Sequence, residues 1–280
     1  SRIGQWARSC SSGAKLAGFA ITHPAAMMKS VQYLFVFSHM RSRSTLLTHI
    51  LGSHPDISGY VETHICYQGR MDFMRLRKRV SDALNGAPLA RIVMDKVLHN
   101  WYIEPALARR MNVMPVFLAR RPEQALPSIC GVVEDPTEAQ RLQHSLRHYL
   151  KRMTWMEEAV SELPAGVFVE SDDVINRTGA ALHLLEQQLG LTTPLDENYK
   201  LFKLTGTPYS GDPSGVIRAG QVVRESRGDQ SAAPEIPPDM LAEAQAAYDR
   251  CVTVLRQRCR NLDDRAGEPL AGLNGHVHAH

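Results

Sequence analysis

The sequence predicts an α/β fold, a single domain with a central parallel sheet flanked by helices. Short apolar runs of strand length alternate along the chain with longer segments of helical spacing, an order typical of a parallel sheet wrapped by helices. The chain has 280 residues, 44% of them hydrophobic, which is enough for one sizeable core. We therefore expect one domain over residues 31–265, between an N-terminal arm (1–30) and a flexible C-terminal tail (266–280).

The individual elements follow from the apolar period. Strands are predicted at 31–37, 90–95, 113–119 and 166–170, with a short extended piece at 56–62. Helical spacing predicts helices over 45–51, 71–84, 102–111, 122–132, 139–161, 179–189 and 238–261. Between residues 192 and 230, Gly, Pro, Ser and Asp dominate and the helical period is lost. We expect a long loop there, and such loops in compact domains are usually functional or disordered.

Charge and cysteine content narrow the class of protein. The net charge is only +3, from 32 Lys and Arg against 29 Asp and Glu, so we expect no nucleic-acid partner. No apolar run approaches the roughly 18 residues of a membrane span. The five cysteines are odd in number and form no C-x-x-C, which argues against a disulfide scaffold and a zinc site. The expected location is the reducing cytoplasm, and the sequence makes no prediction of the oligomeric state.

The first candidate site is the loop between the first strand and the first helix, which reads MRSRSTLL. Unpaired backbone N–H groups at such a helix start attract anions. Arg41 and Arg43 add positive charge, and the hydroxyl donors are Ser42, Ser44 and Thr45. The loop therefore predicts a site for a phosphate-like anion, although it lacks the glycines and lysine of a Walker A loop. An ordinary surface turn with Ser44 or Thr45 as the N-cap is the alternative.

A second candidate site follows the strand predicted at 113–119. Arg120 stands at the C-terminal end of that strand, where open α/β sheets bind their ligands. Pro122 starts a helix that carries Ser128 round to the same side. A guanidinium with a hydroxyl is a second phosphate site. Two phosphate sites at two strand ends imply a nucleotide with phosphates at both ends of its ribose.

Together these segments resemble the sulfotransferases that use 3′-phosphoadenosine 5′-phosphosulfate (PAPS). MRSRSTLL is similar to their 5′-phosphosulfate loop, P-[RK]-[ST]-G-[ST]-[TS], and RRPEQALPS to their 3′-phosphate motif. VFVESDDVINRTGAALHLLEQQLGL is similar to their later strand, acidic turn and helix. The resemblance spans residues 31–191 and implies a P-loop NTPase-like sulfotransferase fold. Met40 stands where the family usually has Pro, and Arg43 where it usually has Gly, which leaves the role of Arg43 open.

The resemblance also implies the cofactor and the residues that bind it. PAPS would be the sulfuryl donor, adenosine 3′,5′-bisphosphate the product, and no metal would take part. Arg218 falls in the long loop, where relatives close over the nucleotide with a basic residue. The residues implied in cofactor binding are Arg41, Ser42, Arg43, Ser44, Thr45, Arg120, Ser128 and Arg218.

The resemblance assigns the catalytic roles to four side chains. Arg41 would stabilise the bridging oxygen and the leaving phosphate. Lys96 matches a lysine that some relatives bring to the transferring sulfuryl group; the alternative is a solvated lysine paired with Asp95. Glu62 matches the base of the Glu-base relatives, and His64 would line the acceptor pocket or orient Glu62. His64 as the base is the main alternative, and His99 comes next.

The expected function is in-line sulfuryl transfer from PAPS to a hydroxyl or amine of a small-molecule, carbohydrate or lipid/acyl acceptor. Two other classes stay open at this point. A P-loop nucleotide kinase would share the strand, loop and helix but needs a Walker lysine and metal-binding carboxylates. A non-catalytic nucleotide-binding relative would keep Arg120 and Ser128 without needing Glu62 and Lys96.

Overall fold

The computed structural model describes residues 30–99, 102–207, 215–224 and 234–264. Its centre is a five-stranded, entirely parallel sheet with the strand order β2-β3-β1-β4-β5. The strands are β1 (Gln32–Ser38), β2 (Ile57–Ser58), β3 (Ile92–Val97), β4 (Val113–Ala119) and β5 (Val167–Glu170). The predicted α/β class with a central parallel sheet is confirmed. Residues 1–29 of the predicted arm and the predicted tail lie outside the described residues.

Eight α-helices lie in the described ranges, and several begin where the sequence has proline. Pro105, Pro122 and Pro238 each occupy the first turn of a helix, where the missing N–H costs no intrahelical bond. The helix predicted from residue 102 accordingly begins later, at Pro105, and a short helix after β5 was not predicted. The helices are α1 (Ser44–Ser53), α2 (Arg70–Ala83), α3 (Pro105–Arg110), α4 (Pro122–Cys130), α5 (Glu138–Glu162), α6 (Asp173–Asn176), α7 (Thr178–Leu189) and α8 (Pro238–Arg258).

The central strand β1 is buried on both faces, as parallel sheets covered by helices require. Tyr33, Phe35 and Phe37 alternate along β1 and enter the core on one face of the sheet. Leu34 and Val36 point the other way into a second core. This two-residue alternation explains why the apolar run of β1 is continuous and not interrupted by polar residues.

The helices after β1 and β4 lie on opposite faces of the sheet. Buried residues of α1 and α7 belong to the core that contains Leu34, whereas those of α2, α3, α4, α5 and α8 belong to the core that contains Phe35. The chain therefore leaves the neighbouring strands β1 and β4 in opposite directions. This divergence opens a crevice at their carboxyl ends, which is where open α/β sheets bind ligands.

The long loop predicted between 192 and 230 has no α-helix or strand in its described parts, 192–207 and 215–224. It contains one 3-10 turn, Val216–Ala219. The loop packs on α1, where His49 Nε2 lies 2.9 Å from Thr205 Oγ1, and on the segment after β2, where the ring of Phe202 stacks on Tyr60 with centroids 4.1 Å apart. None of the described helices is long and apolar enough to cross a membrane.

The aromatic core beside β1 provides the first testable prediction. Phe73 on α2 is fully buried, and its ring centroid lies 4.5 Å from that of Tyr33 and 5.2 Å from that of Tyr67. We expect Phe73→Ala to lower the free energy of unfolding by about 3 to 5 kcal/mol, because it leaves a cavity among these rings. Met71 lies on the same helix but is 57% exposed, so Met71→Ala should change the free energy of unfolding by less than about 0.5 kcal/mol. Urea unfolding of both variants is the measurement. Equal losses of unfolding free energy would contradict the placement of Phe73 in the core.

Candidate functional site

The loop from residue 39 to 43 joins β1 to α1 through two residues with left-handed backbone conformation. Arg41 has φ 61° and Arg43, the N-cap of α1, has φ 65°. Residues other than glycine, asparagine and aspartate rarely adopt this conformation, which costs about 1 to 2 kcal/mol. Turns of this kind direct successive N–H groups into a concavity that binds anions. The loop therefore has the backbone expected of an anion site.

Ser42 supports this loop from behind. Its side chain is fully buried, and its Oγ lies 2.5 Å from Ser38 Oγ. Its carbonyl accepts a hydrogen bond from the Ser171 hydroxyl at 2.7 Å, which ties the loop to the end of β5. Ser42 was predicted to contact the cofactor through its hydroxyl, whereas the structure directs that hydroxyl to Ser38. The part of Ser42 that suits an anion is its backbone N–H.

Two histidines, the buried His39 and the partly buried His148, hold the loop from the other side. His39 Nε2 accepts the backbone N–H of Arg120 at 3.0 Å, so its Nδ1 carries the proton and donates to the Met40 carbonyl at 2.8 Å. His148 Nε2 accepts the backbone N–H of Met40 at 3.1 Å. Burial is the main cause that lowers the pKa of His39 to about 3 and that of His148 to about 2. Both rings therefore stay neutral and act as acceptors.

The two predicted phosphate motifs are in direct contact in the crevice between β1 and β4. Arg41 Nε donates to Ser128 Oγ at 2.9 Å, and Arg120 Nη1 donates to the Arg41 carbonyl at 2.9 Å. Burial lowers the pKa of Arg120 to about 10, and repulsion from Arg43 and Arg41 acts in the same direction. Like charges held this close favour a bound anion, because an anion offsets their repulsion.

Arg43 pairs with the acidic turn after β5. Its Nη1 lies 2.5 Å from Asp172 Oδ1 and 3.3 Å from Ser171 Oγ. Gln124 on α4 donates to the other oxygen of Asp172 at 3.3 Å. The side chain that replaces the family's usual glycine is thus held toward β5. Arg120 feels the charges of Arg43, Arg41 and Asp172, so three guanidinium groups and one carboxylate leave the crevice with an excess of positive charge.

Lys96 connects this crevice to the second half of the site. Its side chain is buried, and its Nζ donates to Thr45 Oγ1 in the first turn of α1 at 3.3 Å. Burial lowers the pKa of Lys96, while Glu62 and Asp95 act in the opposite direction. The alternative of a solvated lysine paired with Asp95 is wrong. Lys96 is inside the protein, and the carboxylate of Asp95 accepts its hydrogen bonds from Thr63, Tyr67 and the backbone N–H of Lys96.

Glu62 is a buried carboxylate beside Lys96. Its side chain is 12% exposed, and its Oε1 forms no hydrogen bond with any described residue. Burial raises the pKa of Glu62 to about 7; Asp95 adds to the rise, whereas Lys96 and Arg152 oppose it. A carboxylate with an unused acceptor and a pKa near neutrality is suited to taking up a proton.

His64 and His99 both face the same oxygen of Glu62. His64 Nδ1 lies 3.5 Å and His99 Nε2 3.8 Å from Glu62 Oε1, and both residues have left-handed backbone conformation. Burial is the main cause that lowers the pKa of both rings, that of His99 to about 4. The structure therefore brings all three candidate bases together, and it gives Glu62 the highest affinity for a proton.

Arg152 is a site residue that the sequence analysis missed. From α5 it donates to three carbonyl oxygens at strand ends: Nε to Ser38 at 2.8 Å, Nη2 to Val97 at 3.0 Å and Nη1 to His99 at 3.1 Å. Its guanidinium carbon lies 4.6 Å from the ring centroid of Trp155. A signal was present in the sequence, because an arginine interrupts the apolar helical stripe that Tyr149, Met153 and Met156 form.

Arg218 is the site candidate that the structure does not bring to the crevice. It lies in the 3-10 turn, exposed, and its Nη2 donates to the Gly206 carbonyl at 2.8 Å. Residues 208–214 of the same loop are outside the described residues. A role of Arg218 on the 3′-phosphate stays a prediction.

The site as a whole combines an anion crevice with a proton acceptor. Arg41, Arg120 and Ser128 form the crevice, and Glu62 lies on the other side of Lys96. Thr45 joins the two halves. It lies in the first turn of α1, directly after the loop, and its hydroxyl accepts a hydrogen bond from the Lys96 ammonium. This arrangement can hold an anionic donor and remove a proton from a nucleophile next to it.

The chain is similar to mouse sulfotransferase SULT7A1 complexed with PAP, with 12% sequence identity, coverage of 81% of this chain and 84% of that chain, and a TM-score of 0.42. No protein-family model matches the sequence, and no curated protein matches it.

Proposed function

We propose that the protein is a PAPS-dependent sulfotransferase that transfers a sulfuryl group to a hydroxyl or amine of a small-molecule, carbohydrate or lipid/acyl acceptor. The observation that carries this proposal is the environment of Glu62. Its unbonded Oε1 and raised pKa, next to the buried ammonium of Lys96, supply a base beside a cationic crevice. A nucleotide-binding relative without catalysis would gain nothing from a largely buried carboxylate and a buried ammonium whose charges act on each other.

The donor set fits the two ends of PAPS. Arg120 and the Arg41–Ser128 pair suit the 3′-phosphate, because guanidinium and hydroxyl donors match phosphate oxygens. The loop N–H groups and the start of α1 at Ser44 suit the 5′-phosphosulfate. Arg41 joins the two subsites, since its backbone belongs to the loop and its side chain reaches Ser128.

The proposed mechanism assigns one task to each residue of the second half of the site. PAPS would supply a sulfuryl group on a phosphate leaving group. Glu62 takes the proton from the acceptor hydroxyl or amine as the nucleophile attacks. Lys96, held by Thr45, directs its ammonium toward the negative oxygens that an in-line transfer must stabilise. His64 and His99 line the acceptor side of Glu62 and stay neutral.

The acceptor class and the location are also part of the proposal. Aromatic residues make up only 6% of the sequence, which favours a sugar, a lipid or an acyl-chain hydroxyl over a phenol or steroid. The described cysteines, at positions 66, 130, 251 and 259, form no disulfide with one another, in keeping with the proposed reducing cytoplasm. A screen of hydroxylated metabolites with labelled PAPS would identify the acceptor.

Calorimetry followed by turnover tests the function itself. We expect adenosine 3′,5′-bisphosphate to bind and ATP with magnesium to bind far more weakly, because the loop lacks the Walker lysine. Sulfuryl transfer or sulfate release from PAPS should follow. Tight binding of ATP without binding of the bisphosphate would replace the proposal with a kinase. Binding of the bisphosphate without any turnover would replace it with a non-catalytic relative.

Arg120 tests the phosphate crevice. We expect Arg120→Ala to weaken binding of the bisphosphate by about 2 to 4 kcal/mol, because it removes a charged donor from a doubly charged phosphate. Arg121 is the matched control. It is the next residue, but its guanidinium lies 3.7 Å from Glu170 and 5.9 Å from the ring centroid of Tyr248. Calorimetry should show Arg121→Ala within about twofold of the wild type. Equal affinities for Arg120→Ala and wild type would refute the site assignment.

Glu62 tests the base. We expect Glu62→Gln to lower kcat by about 10² to 10⁴, the usual contribution of a positioned general base, with affinity for the bisphosphate nearly unchanged. His64→Ala should cost less or raise the acceptor KM, because it removes binding and leaves the proton acceptor in place. Steady-state kinetics of both variants is the measurement. A normal kcat in Glu62→Gln with a collapse in His64→Ala would transfer the role to His64.

The pH dependence of kcat distinguishes Glu62 from His99 as the base. The order of their pKa values is reversed, since the pKa of the Glu62 carboxyl lies above that of the His99 imidazole. Since a base must be deprotonated to act, activity falls on acidification through its pKa. With Glu62 as the base, kcat should fall below about pH 7, where a carboxylate of ordinary pKa would still be active. With His99 as the base, activity would persist to about pH 4. A kcat that stays constant from pH 8 to pH 5 would exclude Glu62.

A further inference from the structure

Asp95 is a fully buried carboxylate in the central sheet that the proposed mechanism does not use. It lies on β3 between Val93 and Val97 and faces the aromatic core on the same side as they do. Its Oδ1 accepts the backbone N–H of Thr63 at 3.0 Å and that of Lys96 at 2.8 Å. Its Oδ2 accepts the hydroxyl of Thr63 at 2.6 Å and that of Tyr67 at 2.5 Å. Four donors therefore surround one carboxylate.

Three of these four donors, two from Thr63 and one from Tyr67, belong to residues 59–69, the segment between β2 and α2 that carries the proposed base. Residues 59–66 form neither helix nor strand, so no ladder of backbone hydrogen bonds fixes the middle of this segment. Thr48 holds its start through the Tyr60 carbonyl at 3.1 Å. In its middle, Asp95 holds both the N–H and the hydroxyl of Thr63, the residue that follows Glu62.

The alternation of β3 explains why Asp95 and Lys96 have different tasks. Successive side chains of a strand point to opposite faces. Lys96 therefore reaches Thr45 on α1, and Asp95 reaches Thr63 and Tyr67 on the aromatic side. The end of β3 thus contacts the start of α1 through Lys96 and the segment of Glu62 through Asp95.

We propose that Asp95 is a positioning residue, whose carboxylate holds Glu62 against Lys96 by binding Thr63 and Tyr67. The inference rests on the proposed function, because it assigns Glu62 the role of the base. A buried carboxylate in a sheet is costly unless it is fully hydrogen-bonded, and a site that must hold a base in place is a reason to retain one.

The charge of Asp95 also acts on Glu62 directly. The ionisable groups that act on or face Glu62 are Lys96, Asp95, Arg152, His64 and His99. Asp95 is the anion among them and raises the pKa of Glu62, whereas Lys96 and Arg152 lower it. Removal of the Asp95 charge therefore lowers the pKa of Glu62. Looser packing of the segment admits water and acts in the same direction.

The experiment compares Asp95→Asn and Tyr67→Phe with the control Tyr33→Phe. Tyr33 and Tyr67 are both buried in the aromatic core around Phe73, but the Tyr33 hydroxyl accepts from Arg77 Nε at 2.8 Å and does not contact Asp95. All three variants lose a buried hydrogen bond. Only the first two act on the segment of Glu62.

We expect Asp95→Asn to lower kcat roughly 10- to 100-fold, as misplacement of a reacting group does, and to move the acidic limb of kcat lower by roughly 0.5 to 1 pH unit. Tyr67→Phe should show smaller changes in the same directions. Affinity for adenosine 3′,5′-bisphosphate should stay within about twofold of the wild type in both, since Arg41, Arg120 and Ser128 are untouched. Tyr33→Phe should leave kcat per folded enzyme and the acidic limb unchanged.

A second readout does not depend on turnover. Carbon-13 NMR of protein labelled at the glutamate carboxyl carbon, with Glu62→Gln to identify the signal, follows the titration of Glu62 in each folded variant. A lower titration midpoint in Asp95→Asn supports the positioning role. An unmoved midpoint and an unmoved acidic limb overturn it, while turnover by the wild type keeps the proposed function. Absence of transfer by the wild type overturns the function, and the NMR titration still decides whether Asp95 controls Glu62.

Discussion

The site depends on one buried cation, the guanidinium of Arg152. It donates to the carbonyl oxygens of Ser38 and Val97, the last residues of β1 and β3, and to that of His99 just beyond. Strand ends leave carbonyl groups that a neighbouring strand no longer pairs, and an unpaired buried carbonyl is costly. Arg152 satisfies three of them at once and so fixes where the chain leaves the sheet toward the anion loop and toward His99.

A buried guanidinium carries its own cost, which the surroundings offset. Burial lowers the pKa of Arg152 to about 10, the negative charge of Glu62 opposes this fall, and the Trp155 ring covers one face of the group. Arg152 therefore contributes to the charge around Glu62, although the proposed mechanism gives it no contact with the reacting groups. Arg152 and Lys96 together keep the pKa of Glu62 from rising further, so the carboxylate stays ionisable near neutrality.

Local pattern and strand order predict a large part of this structure. Apolar runs located β1, β3, β4 and β5 to within two residues of their ends, because strands covered on both faces are apolar throughout, whereas the extended piece predicted at 56–62 is a strand only at Ile57–Ser58. The proximity of Arg41 to Ser128 and Arg120 could be predicted from the sequence, since parallel strands end at one edge of the sheet. The contacts of Arg152 and His148 with the end of β1 and the loop could not be predicted, because a helix more than a hundred residues away supplies them; the sequence shows only that an arginine interrupts the apolar stripe of that helix. The alternative of Lys96 paired with Asp95 fails because successive side chains of a strand point to opposite faces, so neighbours in sequence on β3 have different partners.

Arg43 explains how the loop keeps an anion-binding shape without the family's usual glycine. Glycine adopts the left-handed conformation at little cost, whereas arginine at φ 65° does so at a cost of about 1 to 2 kcal/mol. The ion pair of Arg43 with Asp172 offsets part of this cost, and it holds the loop against the turn after β5. Gln124 holds the same carboxylate from α4, the helix of Ser128. The strained loop after β1 is thus supported by contacts from α4 and from the turn after β5, so the two predicted phosphate motifs are linked to each other through Asp172.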